Sequence, residues 1–376
     1  MELSRPKPGC LSDTPLNHSI SHSEHRTEQA LVNPRHDTSC PSLVKYPIEE
    51  EIPPFSFRNA LFAIFQYVSR AVTMLSSLPY EAKKLIYPTS ALTTPLLRAA
   101  RYSSNLDNEI DHNDYVLITR TGISLIGKGV LRPSGTRVAI KTMIRFGADS
   151  DVAKRTLREI HIWSKLRHDN VLPLLGITTI PHGMVSVVTE WMSRGNAHDY
   201  VQDASVDPRP LIVGIACGLF YLHNHTSGPI IHGDLKGMNV LISAEGRALL
   251  TDFGHSHLIN SSFSMTIDPP RGGTLNWLAP ENVDSEECAV TLPGDIWAFG
   301  MTALELFSRK IPFHDARNLR SVLLHIFHGP PGRPDDECTC FRMSDGWWNL
   351  CNLCWKYDPL LRPDISVLTR IIEQLD

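Results

Sequence analysis

The sequence predicts an α+β chain of two lobes: a small antiparallel-sheet lobe with one main helix, followed by a larger helical lobe. Three observations predict it. From Tyr115 to Glu190, short apolar runs are broken by turn residues. Leu211 to His225 and several stretches after Pro293 read as helices. Between these, Ile231 to Gly254 sets two apolar triplets among Asp234, Asn239 and Asp252. Residues 1–104 differ in texture and are read as an N-terminal extension.

At 376 residues the chain has room for two ordinary domains, or one large domain with an extension. It is 42% hydrophobic and 20% charged, which is globular. Net charge is −4, divided as +2 over residues 1–104 (11 basic, 9 acidic) and −6 beyond. Neither value points to nucleic acid or an anionic membrane, so no nucleic-acid partner is expected. Eight cysteines in this length do not form a disulfide scaffold. Cys338, Cys340, Cys351 and Cys354 permit a zinc reading. Cys351 and Cys354, however, lie in the apolar helical run from Trp347 to Trp355, where free cysteine behaves as a small buried hydrophobe, and that reading is preferred. The first fifty residues lack the apolar core of a signal peptide, so an intracellular, cytoplasmic location is the default.

Residues 1–50 are rich in Ser, His, Pro and Thr without periodicity and are expected to be disordered. His18, His22, His25 and His36 are too irregularly spaced for a metal tract. Over 55–78, Leu61, Phe62, Ile64, Phe65, Val68, Val72 and Leu75 recur at helical spacing and predict an amphipathic helix. It is read as packing on the following domain or on a partner. Peripheral membrane contact, helped by Arg58, Arg70, Lys83 and Lys84, is the alternative. A transmembrane span is the least favoured reading, because Gln66 and Arg70 interrupt the apolar run. Pro88 and Pro95 mark a weakly structured linker to about residue 105. Strands are then expected at Ile123–Val130, Thr136–Thr142 and Val185–Glu190, and helices at Asp149–Lys165, Leu211–His225 and several positions after Pro293.

In the central stretch, Val240-Leu241-Ile242 and Ala248-Leu249-Leu250 flank an Ala-Glu-Gly turn and read as a hairpin. Such a hairpin brings Asn239 and Asp252 to neighbouring strand ends, beside the carboxylate of Asp234. Two oxygen ligands there suit Mg²⁺, which is usually held by one or two protein oxygens plus substrate phosphates.

His232-Gly233-Asp234-Leu235-Lys236, Asn239 and Asp252-Phe253-Gly254 together resemble the catalytic core of protein kinases. The resemblance covers about residues 105–376. It implies a bilobal protein-kinase-like fold with an N-lobe over 105–190, a hinge over 190–195 and a C-lobe over 196–376, with ATP between the lobes. Val138-Ala139-Ile140-Lys141 is similar to the strand whose lysine holds the α- and β-phosphates. Alone, such a lysine is more often a solvated edge charge. Glu159, eighteen residues later in a helix, supplies the carboxylate that the family's ion pair requires.

The resemblance assigns the remaining roles. Asp234 accepts the proton of the attacking Ser or Thr hydroxyl of a protein substrate, and Lys236 neutralises the transferring phosphate. Asn239 and Asp252 hold Mg²⁺. Ile126, Ala139, Thr189, Glu190 and Met192 border the adenine, with Thr189 guarding its back pocket. His232 supports the loop. Asp295 braces it, and Glu281 with Arg362 forms a buried ion pair. Trp277-Leu278-Ala279-Pro280-Glu281 is similar to the tyrosine-kinase-like group, whose members mostly modify Ser or Thr. Phosphorylation of the activation segment would fall on Ser256, Ser261, Ser262, Ser264, Thr266 or Thr274.

The sequence departs from the family in two places. Gly233 stands where many kinases carry the arginine that pairs with an activation-loop phosphate. Thr119, Thr121 and Ser124 occupy the three glycine places of the phosphate-covering loop, and Gly122 lies beside one of them. Side chains there loosen the clamp on phosphates. Two function classes follow: an active Ser/Thr kinase with a modified lid, and a pseudokinase acting as a nucleotide-binding or scaffolding module. The protein substrate and the oligomeric state are not encoded in these motifs.

Overall fold

A computed structural model describes residues 98–120, 124–143, 150–180, 184–258, 275–284 and 290–375. Of two compact units, Met1–Ala63 and Ile64–Asp376, every described residue belongs to the second. The amphipathic segment 55–78 and the early histidines lie outside the described residues.

The small lobe holds β1 (Val116–Arg120), β2 (Ser124–Val130), β3 (Arg137–Met143), helix α1 (Ser150–Trp163), β4 (Leu174–Thr178) and β5 (Ser186–Glu190). The strands form one antiparallel sheet in the order β1-β2-β3-β5-β4. Alternation builds it. On β3, Val138 and Ile140 are buried in a cluster with Leu106, Ile110, Ile180 and Val188. Ala139 and Lys141 occupy the other face and are half-buried. The two sheet edges, β1 and β4, are the strands that the pattern does not mark. Val116, Leu117 and Ile118 are all exposed, so β1 shows no alternation. Gly176 interrupts β4. Helix α1 buries Ile160, Ile162 and Trp163 in the main core, and Trp163 Nε1 donates to Leu172 O at 2.6 Å.

The large lobe follows as α2 (Ala197–Tyr200), α3 (Arg209–His223), β6 (Ile230–Ile231), β7 (Val240–Ile242), β8 (Ala248–Leu250), β9 (His257–Leu258), α4 (Pro280–Asp284), α5 (Leu292–Ser308), α6 (Leu319–His328), α7 (Asp345–Cys354) and α8 (Ile365–Ile372). Helix α5 is its axis, buried from Gly294 to Phe307. Thr291 Oγ1 caps it by accepting from Gly294 N at 3.0 Å, with proline in the first turn. Helices α3 and α7 pack on α5, and α8 packs on α3.

Cys351 and Cys354 are buried on α7, where burial pushes the Cys351 thiol up to about 12 and the Cys354 thiol well above its usual range. Neutral thiols in an apolar interface agree with the hydrophobe reading. Among the described residues no group of His, Cys, Asp and Glu is arranged to hold a metal by itself. No described helix is long and apolar enough to cross a membrane.

Candidate active site

The site is built on the loop between β6 and β7. From α5, the Asp295 carboxylate accepts from His232 N at 2.7 Å and Gly233 N at 2.9 Å, and it contacts His223 Nε2 at 2.9 Å. These bonds fix the loop backbone just ahead of Asp234. His232 is fully buried, and burial pulls its pKa down despite three nearby carboxylates. Its neutral ring bridges two backbones: Nδ1 accepts from Asp234 N at 3.3 Å, and Nε2 donates to Thr251 O at 3.1 Å. Gly233 has φ +78°, and a Cβ there would lie 2.7 Å from His255 O. The loop therefore admits no side chain where many kinases have arginine.

Asp234 lies in a polar cage. Lys236 Nζ donates to both its carboxylate oxygens, at 3.0 and 2.8 Å, and Asn239 Nδ2 donates to Asp234 Oδ2 and to its carbonyl, each at 2.7 Å. With Nδ2 engaged, Oδ1 is the Asn239 atom that could hold a cation. The hairpin forms as the sequence predicts, with Ile242 opposite Ala248. Thr251 N donates to Asn239 O at 3.0 Å and extends the ladder to the residue before Asp252.

Asp252 adopts a left-handed backbone, φ 66° and ψ 66°, and sends its carboxylate to β3. Lys141 Nζ donates to Asp252 Oδ1 at 2.6 Å and to Glu159 Oε1 at 3.1 Å. Burial disfavours the Lys141 ammonium, but Asp252 and Glu159 overcome this and hold its pKa above the usual lysine range. Burial likewise works to raise Asp252, and Lys141 outweighs it, drawing the carboxyl down to about 2. Glu159, with the longer bond, is pushed up by burial against the pull of Lys141. Phe253 is fully buried and wedges its ring edge-on against Trp163 of α1 and tilted to His232. One segment thus links the lysine strand, α1 and the Asp234 loop.

On the same sheet face, Ile126 stands opposite Lys141, and Ala139 opposite Thr189. Thr189 is buried, Met192 half-buried and Glu190 exposed. Trp191 N donates to Arg137 O at 2.9 Å, and Lys128 lies over the Trp191 ring at 5.0 Å. Thr119 is exposed on β1; Thr121 and Gly122 lie outside the described residues. The donor set fits a magnesium-bound triphosphate: one ammonium, a carboxylate one-third exposed, and a carboxamide oxygen.

The protein kinase domain family model matches residues 120–371. This chain belongs to the protein kinase family. It is 30% identical over 261 residues to the probable serine/threonine-protein kinase drkD of Dictyostelium discoideum, covering 68% of this chain and 19% of that protein. It is 27% identical over 262 residues to a second probable serine/threonine-protein kinase of that organism, covering 68% and 50%. It is 28% identical over 267 residues to mitogen-activated protein kinase kinase kinase A of the same organism, covering 68% and 27%. The chain thus spans half or less of the length of these curated relatives.

Within this kinase domain, Glu281 accepts two bonds from Arg362, at 2.6 and 2.7 Å. Arg362 is fully buried, also donates to three backbone carbonyls, and stacks over Trp297. Ser256 corrects the phosphosite expectation. It is buried, and its hydroxyl donates to His232 O at 3.0 Å, so it is closed to a modifying enzyme. The other five candidate hydroxyls lie outside the described residues. Sequence reasoning missed His223 and a network on Glu305. Glu305 is fully buried and accepts from Gly237 N at 2.9 Å and Trp277 Nε1 at 2.8 Å, and meets His198 Nδ1 at 2.7 Å. A lone glutamate in the apolar run of α5 was the available signal.

Proposed function

We propose that this kinase domain, residues 105–376, transfers the γ-phosphoryl group of ATP to Ser or Thr hydroxyls of a protein substrate. The observation that carries the reading is the pairing of two charge networks across one hairpin. Lys141 is held between Glu159 and Asp252, while Asp234 is held by Lys236 and Asn239. Asp234 orients the attacking hydroxyl and takes its proton as the new P–O bond forms and ADP leaves with the old bridging oxygen. Lys236, paired with Asp234, neutralises charge on the transferring group. Lys141 grips the α- and β-phosphates. Asn239 Oδ1 and the Asp252 carboxylate hold Mg²⁺, which supplies charge neutralisation when bound.

Ile126, Ala139 and the Thr189-to-Met192 hinge border the adenine, with Thr119, Thr121 and Gly122 in the place of the glycine-rich lid. Lysine at 236 and the Trp277-to-Glu281 ending support a tyrosine-kinase-like, Ser/Thr-directed member. Gly233, with no room for a side chain, argues against switching through an arginine at that place. Free thiols at Cys217, Cys338, Cys340, Cys351 and Cys354 agree with an intracellular setting. The pseudokinase alternative draws only on the substituted lid, and the relatives lend it no support. The test is transfer of labelled phosphate from Mg-ATP to a Ser/Thr peptide library, followed by phosphoamino-acid analysis.

A further inference from the structure

The family match begins at residue 120, yet residues 98–111 are built into the small lobe. Ala99 is fully buried in the core cluster that contains Ile160, Ile162, Trp163 and Ile177. Tyr102 N and Ser103 N bond back to Ala99 O, making one helical turn. The chain then lies along β4 as an added edge: Ile177 N donates to Ser104 O at 2.8 Å, and Leu106 N to Ile177 O at 2.9 Å. Asp107 accepts from Thr178 Oγ1, Thr179 N and Thr179 Oγ1 at 2.8, 2.7 and 3.0 Å. Gly176 is fitted to this strap, because a Cβ there would lie 2.5 Å from Leu106 Cδ1 and 2.7 Å from Ser104 O. At the far end, Asp111 N donates to Val130 O, Arg132 N to Glu109 O, and Arg132 pairs with Asp111. A linker read as weakly structured to about residue 105 is therefore ordered from Arg98.

The strap touches the helix that carries Glu159. The Tyr102 ring meets the His161 ring of α1 edge-on, with centroids 4.5 Å apart. Helical residues turn about 100° each, so His161 stands about 200° around from Glu159. Tyr102 thus bears on the face of α1 turned away from Lys141. A support on that face opposes withdrawal of the helix from the cleft. Were Glu159 to leave, Lys141 would still have Asp252 as its nearer partner, at 2.6 Å against 3.1 Å.

We propose that residues 98–111 are a strap on the small lobe, and that Tyr102, acting through His161, is a positioning residue for the Lys141–Glu159 pair. The catalytic part of this inference rests on the phosphoryl-transfer reading; the mechanical part does not. The test uses the full chain as parent, Tyr102→Ala, Tyr102→Phe, Glu159→Ala and the Tyr102→Ala/Glu159→Ala double variant. Amide hydrogen exchange across Leu157–Trp163 and kcat/KM for ATP are measured on each.

Tyr102→Ala is expected to speed exchange in α1 and to lower kcat/KM by about three- to tenfold, the range an aromatic pair supplies. Tyr102→Phe keeps the ring and stays at parent values. In the Glu159→Ala background, Tyr102→Ala adds no further loss, because the pair it positions is gone. Unchanged α1 exchange in Tyr102→Ala, or its full loss persisting in the double variant, would overturn the proposal. Should Tyr102→Ala not fold, Tyr102→Leu takes its place with the same expected outcomes. A parent that transfers no phosphate sinks the function reading, while the exchange result still decides the strap.

Discussion

Lys141 Nζ lies 2.6 Å from Asp252 Oδ1, half an ångström nearer than it lies to Glu159 Oε1 at 3.1 Å. One ammonium thus bridges the sheet of the small lobe and the segment that follows β8. The shorter bond goes to the carboxylate proposed to hold the metal, so that ligand is kept ionised before any nucleotide arrives.

This sets an acid-side stability signature. The Asp252 carboxyl moves from an ordinary 3.8 to about 2, because Lys141 outweighs the opposing effect of burial. A depressed folded-state pKa gives stability that is present above the unfolded value and lost as pH falls through the folded one. The window therefore runs from about pH 4 down to about pH 2. Melting midpoints measured across it should fall for the parent, and fall less in Lys141→Met, where the depressing charge is gone.

The Glu281–Arg362 pair makes a second prediction. Arg362 is fully buried, whereas Glu281 keeps a quarter of its side chain exposed. Removing Glu281 strands a buried guanidinium, at a cost of about 3 kcal/mol, the low end of the range for broken buried pairs because solvent reaches one partner. Urea denaturation of Glu281→Ala is the measurement. A loss under about 1 kcal/mol would show that the three backbone carbonyls satisfy Arg362 by themselves.

Gly233 makes a third. Its φ of +78° and the 2.7 Å approach of His255 O leave no room for a methyl group. Gly233→Ala must displace either the Asp234 loop or the segment after Phe253. It is expected to lower kcat by about tenfold or more, with a smaller effect on KM for ATP, because Asp234 is the next residue in the chain. Steady-state kinetics on the folded variant decide it.

A fourth concerns the cysteines. With Cys351 and Cys354 buried and their thiols held protonated, a chelator selective for zinc should leave the melting midpoint unchanged. A drop on chelation would restore the zinc reading.

What the sequence disclosed and what it hid have separate physical causes. The β7–β8 hairpin and the Lys141 strand were legible because short-range patterns specify them: paired apolar triplets around a turn, and a period-two run. Asp295 and Arg362 were legible only through the resemblance, since their partners are distant in the chain. Strand β1 was invisible because it is exposed on both faces, and pattern reading depends on alternation. The strap was hidden for another reason. Its main links to β4 are backbone bonds from Ser104 and Leu106 plus the single carboxylate of Asp107, which leave no periodic trace. The contact of Glu305 with His198 spans 107 residues and involves residue types common on any surface.

The central claim is that Asp234 and Lys141 serve one transfer reaction. Its most direct measurement is incorporation of label from γ-labelled ATP with Mg²⁺ into a Ser/Thr substrate by the parent, Asp234→Asn and Lys141→Met. The account predicts transfer by the parent and a fall of about a hundredfold or more in each variant, with Asp234→Asn retaining its Mg-ATP-dependent melting shift. Equal label in all three proteins would contradict it.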